Sequence, residues 1–206
     1  MSQYEALIRD NLRKAFSGGA EALAERLPAR PDPEGLTFPA FGASCSLTSE
    51  AVVLSGKRET GPRGLVVSLY AANASPESLR LEPLVAFRDL PDSMPYQGAF
   101  AANSERPLVP RASEIPAWRS RILEFLQGEE TPPPPATPGD ISLLVFPLPK
   151  IALCYIVYLP DEEFPAAVTC MFSNNARTFM PLDGLADTAE YTTRRILELM
   201  IEDSAP

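Results

Sequence analysis

Apolar residues recur at helical spacing near the N-terminus, with Tyr4, Leu7, Ile8, Leu12 and Phe16 on one side of a predicted helix. A Ser2-x-x-Glu5 capping box opens it and Ser17-Gly18-Gly19 closes it. A second short helix is predicted over 20–27, stopped by Pro28, Pro31 and Pro33. The pattern then shortens. Leu36-Thr37-Phe38, Gly42 to Leu47 and Ala51 to Leu54 read as strands of a meander. Leu65, Val66, Leu69 and Tyr70 fit a buried helix or a strand, and helix is preferred. Leu81 to Phe87 reads as a strand. A further helix is expected from Ser113, with Ile115, Trp118, Ile122, Phe125 and Leu126 inward and Gly128 at its end.

The C-terminal third carries the strongest signal. Ile141 to Phe146, Ile151 to Leu159 and Ala166 to Phe172 are rich in Val, Ile, Tyr and Phe, as strands are. Their nearly continuous apolar content predicts three sequential antiparallel strands, the middle one central. A last helix over 182–201 presents Leu185, Ala189, Ile196 and Met200. The fold class is therefore α+β, a largely antiparallel sheet packed by an N-terminal, a middle and a C-terminal helix. One domain over 1–206 is expected, with 128–139 as a proline-rich surface loop or spacer.

Composition narrows the chemistry. Hydrophobic residues make up 45% of the chain, enough for a sizeable core, and the net charge is -9. An acidic balance disfavours nucleic acid and anionic lipid as partners. No apolar run is long enough to span a membrane, and no signal peptide is read at the N-terminus, so a cytoplasmic protein is expected. The chain has no histidine, which excludes Ser-His-Asp and Cys-His nucleophilic systems and His-ligated zinc. Cys45, Cys154 and Cys170 are widely spaced and read as buried reduced thiols, too few for the usual four ligands of an iron–sulfur cluster. No cofactor is predicted.

The candidate site is the corner Pro160-Asp161-Glu162-Glu163-Phe164-Pro165 between two of the apolar runs. Adjacent carboxylates repel, so one is expected to have a raised pKa unless a cation neutralises them. Glu162 and Glu163 are the candidates for general acid–base work or, more weakly, for a hard divalent cation. Alternatively, one carboxylate caps backbone N–H groups while Arg88 pairs with Glu162 or Glu163. Arg88, Tyr96 and Asp161 are the ligand-binding candidates. Tyr155 and Tyr158 lie three apart on a strand and face opposite sides, so packing is their expected role. Asp140 precedes a strand as a turn former. Gly61-Pro62-Arg63-Gly64 matches no phosphate loop.

Several segments together resemble one family. They are Arg88-Asp89-Leu90-Pro91 with Tyr96, Asp140 followed by Phe146-Pro147-Leu148-Pro149, and Asp161-Glu162-Glu163-Phe164-Pro165-Ala166. Met171-Phe172-Ser173 and Phe179-Met180-Pro181-Leu182-Asp183 continue the likeness. The chain resembles the bacterial and archaeal domain-of-unknown-function family 3786 over about residues 36 to 200. The resemblance implies a domain of anaerobic prokaryotes, sometimes beside cysteine-rich iron–sulfur modules. This chain has no cysteine cluster, so a cluster or corrinoid role falls to a protein partner. Tyr158 stands where relatives are expected to carry Trp, and Ser173 where Asp is expected. The leading expectation is a non-catalytic binding or accessory module in anaerobic redox or corrinoid-related metabolism. The alternative is a carboxylate-dependent hydrolase or lyase, with or without metal assistance, using Glu162 and Glu163.

Overall fold

A computed structural model describes residues 3–135 and 137–202. Helix α1 (Gln3–Ala15) buries Ile8, Leu12 and Ala15, while Tyr4 and Leu7 at the edge of its apolar stripe stay exposed. The Ser2 cap lies outside the described residues. Helix α2 (Ala20–Arg26) follows Gly19, whose φ of 89° suits a residue without Cβ. Helix α3 (Pro62–Ala72) starts on Pro62, preset for a first turn, and packs against α1. The segment 65–70 is thus helical, as preferred.

Where one sheet is expected, the strands divide into two, each antiparallel and five-stranded. The first is a meander of β1 (Arg30–Asp32), β2 (Gly35–Ala40), β3 (Ala43–Leu47), β4 (Val52–Leu54) and β5 (Lys57–Arg58). Two of its turns have two central residues, both at positive φ: Phe41 (52°) with Gly42 (75°), and Ser55 (48°) with Gly56 (78°). That geometry matches the right-handed twist of the flanking strands.

The second sheet holds β6 (Val85–Ala86), β7 (Glu129–Glu130), β8 (Ile141–Leu148), β9 (Ile151–Tyr158) and β10 (Ala167–Phe172), in the order β6-β10-β9-β8-β7. Strand β9 is central and buried from Ile151 to Val157, as its unbroken apolar run predicts. Its inner face joins the core that reaches from Ile8 to Met200. Its outer face, with Ala152, Cys154 and Ile156, packs on Leu79, Leu81 and Leu84 in irregular chain. The segment 81–87 is therefore a cover, and only Val85 and Ala86 pair as a strand. Pro83 supplies no N–H to a ladder, and Phe87 turns into a 3-10 helix (Phe87–Asp89).

Between Met94 and Glu114 the chain makes short 3-10, α (α4, Gln97–Phe100), π and 3-10 turns in succession. Pro95, Pro107 and Pro110 deny this stretch a continuous i→i−4 ladder. Regular helix α5 (Ile115–Phe125) begins two residues later than Ser113. It ends in a Schellman motif: the N–H of Gly128 donates to the Leu123 carbonyl at 2.7 Å and that of Gln127 to Glu124 at 3.3 Å. Gln127, at φ 54°, takes the left-handed position expected of Gly128. Gly128 serves another purpose, because a Cβ there would stand 2.3 Å from the Leu144 carbonyl oxygen. The proline-rich spacer is partly sheet: Glu129 and Glu130 pair with Leu144 and Leu143. Helix α6 (Leu182–Glu202) buries Leu185, Ala189, Ile196 and Met200 as read from the pattern. Among the described residues no helix is long and apolar enough to cross a membrane.

Candidate functional site: the groove between the sheets

The acidic corner is a turn. The Asp161 Oδ1 atom accepts the N–H groups of Phe164 (2.7 Å) and Glu163 (2.8 Å), and the Asp161 N–H donates to the Phe164 carbonyl (3.0 Å). Those two N–H donors, Phe164 first, hold the Asp161 carboxyl below its usual range, opposite to the raised acid expected from repulsion. Glu162 and Glu163 are exposed, and neither has an ion-pair partner among the described residues. No group of three His, Cys, Asp or Glu among the described residues is placed to hold a metal ion.

The other predicted residues do not gather at this corner. Arg88 is exposed and stands 4.0 Å from the carboxylate of its neighbour Asp89, not on Glu162 or Glu163. Strand register explains why. Ala86 pairs with Met171, so Arg88 runs beside the middle of β10, where its charge acts on Glu105. Tyr96 is exposed at the end of a 3-10 turn. Tyr155 and Tyr158 face opposite sides of the sheet, Tyr155 in the main core and Tyr158 on the outer face. Asp140 accepts the N–H of Leu159 at 2.7 Å and so ties the start of β8 to the end of β9. Cys45, Cys154 and Cys170 are buried free thiols. Burial raises all three, Cys45 to about 12.

A wide concavity lies elsewhere, where the two sheets meet. The Phe41 N–H donates to the Pro147 carbonyl at 2.8 Å, joining the β2–β3 hairpin to the β8–β9 hairpin. Gly42 lies directly under the Phe125 ring, and a Cβ there would approach it to 2.3 Å. Beside this junction opens a cleft of about 1050 Å³. Its floor includes Phe38, Phe125 and Phe146, the last two half-buried. Exposed Arg30 on β1 and exposed Arg121 on α5 line it, with Glu124 beside Arg121. The Arg195 guanidinium covers Phe125 at 5.1 Å from the ring centre. The cleft is near the upper end of ordinary ligand-site volumes, about 300–1,000 Å³. Its residues come from positions 28 to 199, so no local motif announces it.

The groove and the corner are far apart. Strand β9 starts at the Pro147–Pro149 turn and ends at the corner, and its eight residues span about 25 Å. They cannot form one site within a chain.

Two buried polar groups lie apart from both the corner and the groove. Lys150 donates through Nζ to the carbonyls of Ser75 (2.7 Å) and Glu77 (2.9 Å) beneath the Phe179 ring, and desolvation lowers its pKa. The hydroxyl of Ser173, where Asp was expected, is buried without a hydrogen-bond partner among the described residues. Neither group lines the groove.

The protein is thus an α+β protein of two antiparallel sheets with an aromatic, arginine-edged cleft at their junction. The chain belongs to the family described as Domain of unknown function (DUF3786), whose model matches residues 20–195. No curated protein and no solved structure matches it.

Proposed function

We propose that the protein is a non-catalytic binding module and that the groove between the sheets is its docking face. The observation that carries this reading is the cleft itself, open, floored by Phe125 and Phe146 and edged by Arg30 and Arg121. Aromatic and arginine side chains are the residue types that anchor interfaces. The family resemblance supplies the partner class, an iron–sulfur or corrinoid protein of anaerobic redox metabolism. With no histidine and three buried thiols, this chain leaves the metal centre to that partner. The hydrolase or lyase reading has less support, because Glu162 and Glu163 are exposed and neither lines the groove.

The test is anaerobic titration calorimetry against purified iron–sulfur and corrinoid proteins of the source organism. Arg121→Glu should weaken the complex at least about tenfold, a loss of about 1.4 kcal/mol, while Glu162→Gln leaves it unchanged. Equal affinity in wild type and Arg121→Glu would reject the groove as the docking face.

A further inference from the structure

Between Ser75 and Leu84 the chain is a strap, neither helix nor strand, laid on the outer face of the second sheet. Its half-buried Leu79, Leu81 and Leu84 pack on the patch of Leu144, Ala152, Cys154, Ile156 and Met171. Three residues grip it. Lys150 Nζ donates to the carbonyls of Ser75 (2.7 Å) and Glu77 (2.9 Å). Asn175 holds two strap groups at once: Nδ2 donates to the Ser78 carbonyl (2.9 Å) and Oδ1 accepts the Arg80 N–H (2.8 Å). Asn174 donates through its main-chain N–H to the Leu81 carbonyl (3.1 Å) and through Nδ2 to that of Pro83 (3.2 Å).

Each of these bonds ends on a main-chain atom of the strap. Main-chain groups are common to all peptides, so the grip reads an extended chain and leaves sequence choice to the leucine contacts. The Asn175 carboxamide pairs with the strap as a peptide group of a neighbouring strand would, donating once and accepting once. Strand pairing begins only at Val85, so the strap can lift without breaking a ladder.

We propose that the outer face of the second sheet is a peptide-binding site filled in cis by the strap, and that it fits an extended segment with leucine-like side chains spaced as in Leu79, Leu81 and Leu84. The strap is then an autoinhibitory stand-in for the partner. Tethered at both ends, it competes at an effective concentration of about millimolar, so weak peptides are turned away. The site goes beyond the docking-face reading, because neither the strap nor Lys150, Asn174 or Asn175 lines the groove.

Cys154 reports the state of the strap. It is fully buried in the covered patch, while Cys45 and Cys170 lie in the main core and serve as controls. Leu81→Asp with Leu84→Asp weakens the strap and leaves the gripping side chains in place. In that variant Cys154 should react with a disulfide reagent at least about tenfold faster than in wild type, with Cys45 and Cys170 unchanged. A fluorescent peptide with the sequence of residues 75–84 should bind the variant at least about tenfold tighter than wild type and slow Cys154 again. The same peptide with its leucines replaced by aspartate should not bind, and Asn175→Ala added to the variant should abolish binding. If the doubly substituted chain does not fold, Lys150→Met frees one end of the strap and should still speed Cys154 selectively. Three thiols that react together would overturn the strap as a separate cover. A fast Cys154 without peptide binding, or binding that survives Asn175→Ala, would overturn the site.

Discussion

The carboxylate of Glu105 accepts the main-chain N–H of Cys170 at 3.0 Å. This bond lies just past the point where β6 stops pairing with β10, whose last paired residues are Met171 and Phe172. A side chain from a π turn therefore takes the place of a neighbouring strand. Next to it, the Tyr155 hydroxyl bonds Thr193 Oγ1 (3.1 Å) and the Ala189 carbonyl (3.2 Å), and Thr193 donates to Ser104 (2.6 Å). These bonds tie β9, β10 and α6 to the proline-broken stretch.

Truncation at Glu105 should separate the acceptor from the charge. Glu105→Ala leaves the Cys170 N–H unpaired and should cost about 1–3 kcal/mol in urea unfolding. Glu105→Gln keeps an acceptor and should cost less. Desolvation raises the Glu105 carboxyl, with Cys170 N–H and the charges of Arg88 and Arg106 opposing. A raised folded pKa means the stability it contributes is fully present below the unfolded value, about 4.3, and is lost as pH rises through the folded value. Wild type should thus lose stability relative to Glu105→Gln as pH rises from about 4 through the raised value. Parallel pH profiles for the two proteins would refute this account.

Two glycines should respond differently to alanine. At Gly128 the new Cβ would meet the Leu144 carbonyl oxygen at 2.3 Å and a Leu123 methyl at 2.9 Å. The carbonyl belongs to β8 and cannot yield without disturbing the sheet, so Gly128→Ala should cost about 3 kcal/mol. At Gly56 nothing lies within 4 Å, and only the φ of 78° resists the change. Gly56→Ala should cost about 1–2 kcal/mol. Denaturant midpoints with equal m-values would measure both, and reversed order would contradict the close approach at Gly128.

The sheets and helices were largely legible because their signals are local. The run from Ile151 to Val157 has only one reading at that length, a strand buried on both faces. Helix α6 repeats its stripe across its whole length. Leu81 to Phe87 misled because apolar residues that cover a sheet resemble those that form one, although Pro83 was the available warning. The corner was legible as a turn, but Arg88 could not be assigned to it or away from it without the β6–β10 register. The groove was invisible because Arg30, Phe125 and Phe146 meet only through the two hairpins.

Asp161 should matter to the shape of the corner and its neighbours should not. Its lowered pKa gives the sign: the contribution is present above the unfolded value and is lost as pH falls through the folded one. Asp161→Ala removes the acceptor of both N–H groups, so it should loosen the turn and speed amide exchange at Glu163 and Phe164. Glu162→Gln and Glu163→Gln should leave exchange there unchanged. Hydrogen exchange by NMR distinguishes these variants, and protection surviving in Asp161→Ala would show that the turn does not depend on the carboxylate.

Phe41 should prove the residue on which the groove's geometry depends. It occupies a left-handed position, φ 52°, that a bulky side chain adopts at a cost of about 1–2 kcal/mol. That strain is offset because its ring is 1% exposed and meets Tyr191 of α6 edge-on at 6.2 Å. Its N–H also holds the Pro147 carbonyl that joins the two hairpins. Phe41→Ala keeps the strained backbone and loses the burial, and should cost about 3–5 kcal/mol. Phe41→Gly relieves the strain while losing the same ring, so it should be the milder of the two despite removing more atoms. A double-mutant cycle with Tyr191→Ala should return a coupling of about 0.5–1.5 kcal/mol beyond simple burial. If Phe41→Gly were instead the more damaging, the left-handed turn would carry no strain and the anchoring would rest on the ring alone.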